Sequence, residues 1–173
     1  MNRRFDRSVH LFFKSKITPD AFADCLVRDH QTIFGMNTLV QICTEFDLHF
    51  RDEASSIEAF YELQTFGLYA IADGVRQCCH DLGETIIANL NQRFATISGP
   101  NWEVMCRRVA EYEESGNHAP NGGIAAQRIF DRPCGVIQPT SKEAFGLSHV
   151  MNTIYLDAVQ AVKRLLKQYT IVG

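Results

Sequence analysis

The sequence predicts an all-α fold: a single-domain irregular bundle of about seven helices, with a long central helix kinked near Gly83. Two long apolar stripes and an absence of strand-like alternation predict it. The first stripe runs through Ile57, Tyr61, Leu68, Ile71, Val75, Cys78, Leu82 and Ile86, with Phe60 and Cys79 beside it and Gln64 as its one polar interruption. At 100° per residue these positions share one helix face about 100° wide. The second runs through Leu147, Met151, Ile154, Tyr155, Ala158, Val162, Leu165, Leu166 and Tyr169. Both alternate steps of four and three, the spacing of helices that pack nearly parallel.

A chain of 173 residues fits one domain (residues 1–173), and 46% apolar with 21% charged residues is the composition of a soluble globular protein. A chain of this size buries on the order of 70% of its unfolded surface, so its fold calls for no metal, cofactor or disulfide. Net charge of -3 gives no basis for nucleic-acid binding. The six cysteines (25, 43, 78, 79, 106 and 134) form no C-x-x-C pair, and most lie on or beside apolar stripes, as small hydrophobes do. They point to a reducing, cytoplasmic setting. No apolar run approaches the roughly 18 residues of a membrane span.

Residues 1–16 form a basic amphipathic segment, with Phe5, Val9, Phe12 and Phe13 on one face and a net charge of +4 from Arg3, Arg4, Arg7, Lys14 and Lys16 against Asp6. A presequence or a membrane-surface helix has this pattern; a helix docked on the core is the expectation. Thr18-Pro19-Asp20 then starts a helix that runs to Phe34 and stops at Gly35. Thr38 to Gln41 fits a capping box and opens the next helix, which buries Leu39, Ile42, Cys43, Phe46 and Phe50. Ser55 to Glu58 is a second such box and starts the central helix. Residues 44–62 carry a net charge of -5, complementary to the N-terminal segment.

Unbroken, the central segment would exceed the width of a compact domain, so the chain should break near Gly83. Gly67, Ala70 and Gly74 form a small-residue face that lets another helix approach closely. Ser98-Gly99-Pro100 is a breaker, and Asn101 caps a helix over about 102–115 with Trp102, Met105, Cys106, Val109 and Tyr112 inward. Residues 116–140 form a long loop containing a short helix over Ile124–Phe130. The last helix starts near Thr140, breaks at Gly146 and continues to about Tyr169.

The loop holds the best ligand candidates: Asn117, His118, Asn121, Gly122, Gly123, Arg128 and Arg132. Free N–H groups at Asn121-Gly122-Gly123, ahead of a helix and two arginines, suit a phosphate or carboxylate. An ordinary glycine-rich connector would read the same way. Asp29 projects onto an apolar stripe, and His49 lies at the edge of another; both are candidate buried polar groups. The i, i+4 pairs His49/Glu53 and His80/Glu84 could bracket a metal, but they read better as surface pairs, and no metal site is expected.

With no catalytic constellation legible, the expected function is a helical interaction or regulatory module that binds a protein partner and self-associates, as a homodimer for example. The alternative is a ligand- or metal-dependent enzyme or sensor, with its site near residues 116–132 or His49.

Overall fold

In the computed structural model, residues 14–115, 122–131 and 142–173 are described. The basic segment expected over 1–16 falls outside them except for its last residues. These are strand rather than helix: β1 (Ser15–Ile17) pairs in parallel with β2 (Tyr169–Ile171) at the far end of the chain. Two strands of three residues are too short to leave an alternation in the sequence, which is why no strand was expected.

The helices are α1 (Pro19–Ile33), α2 (Met36–Glu45), α3 (Glu53–Cys79), α4 (Gly83–Ser98) and α5 (Trp102–Ser115). Then come α6 (Gly122–Ala126), which continues as a π-helical turn over Gln127–Asp131, and α7 (Lys142–Gln168). Tight 3-10 turns at His80–Leu82 and Gly99–Asn101 join α3 to α4 and α4 to α5, each opening on a residue of positive φ, His80 and Gly99. Counted as joined helices, the described residues give four rather than about seven: 19–45, 53–115, 122–131 and 142–168. The glycine and proline signals are real, but each interruption is a single tight turn, and the next helix follows without a loop.

Local chemistry explains most of the boundaries. Thr18 caps α1 by accepting the Ala21 N–H at 3.2 Å, and Pro19 takes the position where no donor is needed. Neither expected capping box is used. Helix α2 starts at Met36, and Thr38 donates its hydroxyl back to the Ile33 carbonyl. Helix α3 starts behind Asp52, whose carboxylate accepts the Ser55 N–H at 2.7 Å. The break after α3 falls at His80, at φ 36°, three residues before the expected Gly83. Helix α7 runs straight through Gly146, and that glycine makes room for the Phe46 ring: a Cβ there would lie 2.7 Å from Phe46 Cε1.

Helix α3 is the centre. From Thr65 to Ala72 every residue is buried, with α1 on one side, α5 on another and α7 on a third. Ile71 and Val162 are both fully buried, as the paired stripes require, and the small face works as expected. Gly74 lets α7 approach until a Cβ would stand 3.2 Å from Val159 Cα, while Gly67 receives Phe34 and His30 of α1. The start of the stripe is corrected. Ile57 and Tyr61 are 46% and 42% exposed, and Ala59, Leu63 and Phe66 are buried in their place. These two sets lie on nearly opposite faces, and a helix buried all round further on gives periodicity no means of choosing between them. Cys106 of α5 is likewise exposed, while Met105 and Tyr112 are buried.

Candidate functional site

Of the residues singled out around 116–132, Gly122, Gly123 and Arg128 are among the described residues. Asn117, His118, Asn121 and Arg132 lie outside the described residues. The Gly122 N–H donates to Asn152 Oδ1 at 3.0 Å, and a Cβ on Gly122 would stand 2.3 Å from that same oxygen. This glycine is there to seat α6 on α7, and its donor is taken. Gly123 has more room, with Ser148 Oγ 3.7 Å from where its Cβ would be.

Arg128 is committed to protein acids. Its Nη2 donates to Glu111 Oε2 at 2.7 Å, its Nη1 lies 3.7 Å from Glu62 Oε1, and its guanidinium covers the Tyr112 ring at 5.0 Å. Arg108 closes the cluster, within 3.8 Å of Glu62 and 3.4 Å of Glu111. Tyr112, fully buried, donates its hydroxyl to Glu62 Oε1 at 2.7 Å. Burial first, then the Glu62 charge, push the Tyr112 hydroxyl far above its ordinary pKa, so it stays a donor. Two acids and two arginines at the junction of α3, α5 and α6 neutralise one another, and the cluster acts as a structural lock.

That account predicts a pattern of stabilities. Arg128→Ala is expected to cost about 2 to 3 kcal/mol, because Glu62 and Glu111 lose a partner in a largely buried place. The double variant Arg128→Met/Glu111→Met should recover part of that loss, since it removes a whole pair and leaves Glu62 with Arg108 and the Tyr112 hydroxyl. Urea denaturation midpoints of the parent and the two variants measure it. A double variant less stable than Arg128→Ala would count against the lock.

The other candidates separate as well. Asp29 is half-buried, and the fully buried polar side chain is its neighbour His30. His30 Nε2 donates to the Gln64 carbonyl at 2.8 Å, and its Nδ1 is buried with no hydrogen-bond partner. Phe94 meets the ring edge-on at 4.5 Å, and Phe34 lies at 5.2 Å. Gln64, the polar interruption of the central stripe, also donates its side-chain amide to the carbonyl of Phe34, the residue that ends α1. One residue therefore ties α3 to α1 twice. The signal for His30 was present in the sequence: it stands four residues after Leu26 and eight after Phe22, on the same helical stripe.

His49 is exposed, beyond the end of α2, with Nε2 3.3 Å from Asp47 Oδ1. It belongs to the rim of an apolar depression of about 490 Å³ between α2 and the chain leading into α3. Met36, Leu39, Val40, Cys43, Leu48 and Phe50 line it. Met36 and Val40, one turn apart on α2, are 47% and 56% exposed, unusual for large apolar side chains in a helix. Asp47 stands in the wall of the depression, and the chain beside it carries Glu45, Asp52 and Glu53, all exposed, with Arg51 the one cation over residues 45–53, a net charge of -3. Hydrogen bonds from Ser55 hold the Asp52 carboxyl below its ordinary range.

No protein-family model, curated protein or solved structure matches this chain. Among the described residues no three His, Cys, Asp or Glu side chains gather as a metal site would require, and no helix is long and apolar enough to cross a membrane.

Proposed function

We propose that the chain is a helical interaction module that binds a protein partner through the α2 depression, and that the partner presents a basic amphipathic helix. One observation carries the reading: an apolar groove with two half-exposed side chains, Met36 and Val40, with Asp47 in its wall and exposed acids in the chain beside it. Apolar surface supplies affinity at roughly 25 cal/mol per Å² buried, and the acids select the charge of what lies there. A helix carrying an apolar stripe and cations beside it satisfies both demands. The polar residues of the interior support this reading, because Arg128, Glu62 and Gln64 are occupied in holding helices together. A groove of this size suits transient binding, with Kd on the order of micromolar.

A labelled leucine/lysine amphipathic peptide, titrated by fluorescence anisotropy, tests the proposal. It should bind, and Val40→Glu should weaken binding about tenfold or more by placing a carboxylate in the groove. Raised salt should weaken it further. A leucine/glutamate peptide should not bind. Equal binding of both peptides, or indifference to Val40→Glu, would sink the reading.

A further inference from the structure

We infer that the occupant of the α2 depression is the N-terminal segment of a second copy of this chain, residues 1–13. The inference rests on the reading of that depression as a groove for a basic amphipathic helix. The chain itself contains such a sequence. Phe5, Val9, Phe12 and Phe13 fall on one helical face, and Arg3, Arg4 and Arg7 against Asp6 give residues 1–13 a net charge of +2. The stretch 45–53, which supplies Asp47, Leu48, His49 and Phe50 to the groove, carries -3. Apolar stripe meets apolar groove, and cations meet acids.

Geometry decides that the segment comes from another copy. Lys14 is anchored: its Nζ donates to the Leu166 carbonyl at 2.7 Å, at the last turns of α7. The groove lies toward the other end of that helix, where the Phe46 ring, just past the end of α2, seats against Gly146. Twenty residues of α7 separate the two points, about 30 Å at 1.5 Å per residue. Thirteen residues as a helix span only about 20 Å, so a helical arm cannot reach the groove of its own chain. Extended, it would reach, but Phe12 would then face away from Phe5, Val9 and Phe13. Docking in a second copy keeps the stripe intact. If each copy gives one arm and receives one, the exchange closes as a two-fold dimer.

Sedimentation velocity on the full chain over a concentration series tests this, with a synthetic peptide of residues 1–16 as competitor. The expected result is a concentration-dependent dimer that the peptide dissociates. Phe12→Glu in the arm and Val40→Glu in the groove should each weaken it about tenfold or more. Val40 is exposed, so thermal unfolding of Val40→Glu should match that of the parent and separate a lost interface from a lost fold. A monomer at every concentration overturns the inference, as does a dimer indifferent to both substitutions. If the chain is monomeric while the leucine/lysine peptide still binds in a Val40-dependent way, the groove reading survives and only its occupant is wrong.

Discussion

Gly67→Ala is expected to destabilise the protein by about 3 kcal/mol, a loss out of proportion to one methyl group. The position lies mid-way along α3, where alanine would normally be favoured over glycine by about 1 kcal/mol. Here a Cβ would stand 2.5 Å from both Cγ and Cδ2 of Phe34 and 2.7 Å from His30 Nε2. Neither ring can yield. Both are fully buried; Phe34 is packed edge-on to Phe66 at 6.4 Å, and its backbone carbonyl accepts from Gln64. His30 can move only by giving up its one hydrogen bond, to the Gln64 carbonyl, inside an apolar cage. Overpacking and a broken buried hydrogen bond add, and together they exceed the gain in helix propensity. Gly74→Ala is the control. Its Cβ would meet Val159 Cα and Val162 Cγ2 at 3.2 Å, a contact that a few tenths of an ångström relieve, so its effect should stay within about 1 kcal/mol. Urea titrations of both variants measure the difference. A Gly67→Ala protein as stable as the Gly74→Ala protein would mean that α1 and α3 are less closely packed than described.

The two glycines also show how far the sequence can be read. That Gly67, Ala70 and Gly74 admit close neighbours follows from spacing alone, and so does the burial of Ile71 and Val162, because each sits on a stripe long enough for its period to be measured. What each glycine admits is not written locally. His30 and Phe34 meet Gly67 across more than thirty residues of chain, and only the packed helices bring them together. The ends of helices were legible in part: Thr18 caps α1 as its residue type suggests, whereas Asp52 displaces the Ser55 box because a carboxylate three residues earlier reaches the same N–H first. The site candidates were the least legible. Glycines and arginines near 122–132 look alike whether they receive an anion or seat one helix on another. Asn152 and Glu62, which meet Gly122 and Arg128, are thirty and sixty-six residues away from them. The acid-rimmed depression was half visible, as a run of negative charge over 44–62; that α2 would turn Met36 and Val40 outward beside it depended on tertiary packing.

His30 should make the fold acid-sensitive well above the range in which carboxylates titrate. Burial drives its pKa down from 6.5 to about 4, and the hydrogen bond to Gln64 offsets only part of that shift. Atomic detail agrees with the direction. With Nε2–H donating to the Gln64 carbonyl, the added proton would go to Nδ1, which is buried and faces no acceptor. The unfolded chain, by contrast, takes up the proton near pH 6.5. Between pH 6.5 and about 4 the unfolded state therefore holds a proton that the native state lacks, so stability must fall as the pH falls. The contribution is intact above pH 6.5, declines at about 1.4 kcal/mol per pH unit, and is gone near pH 4, a total of about 3 kcal/mol. Asp24, lowered mainly by its Arg93 hydrogen bond, and Asp52, lowered by Ser55, act in the same direction but lower down: their stabilisation is present above the ordinary value of 3.8 and is lost below it. The two windows barely overlap. Stability measured by urea denaturation from pH 7 to pH 4 should thus slope downward in the parent and run nearly flat in His30→Gln, which keeps an N–H for the Gln64 carbonyl and has nothing to titrate. Parallel curves for the two proteins would show that the imidazole is solvated or protonated in the native state, and the anchoring of α1 on α3 through a neutral histidine would have to be abandoned.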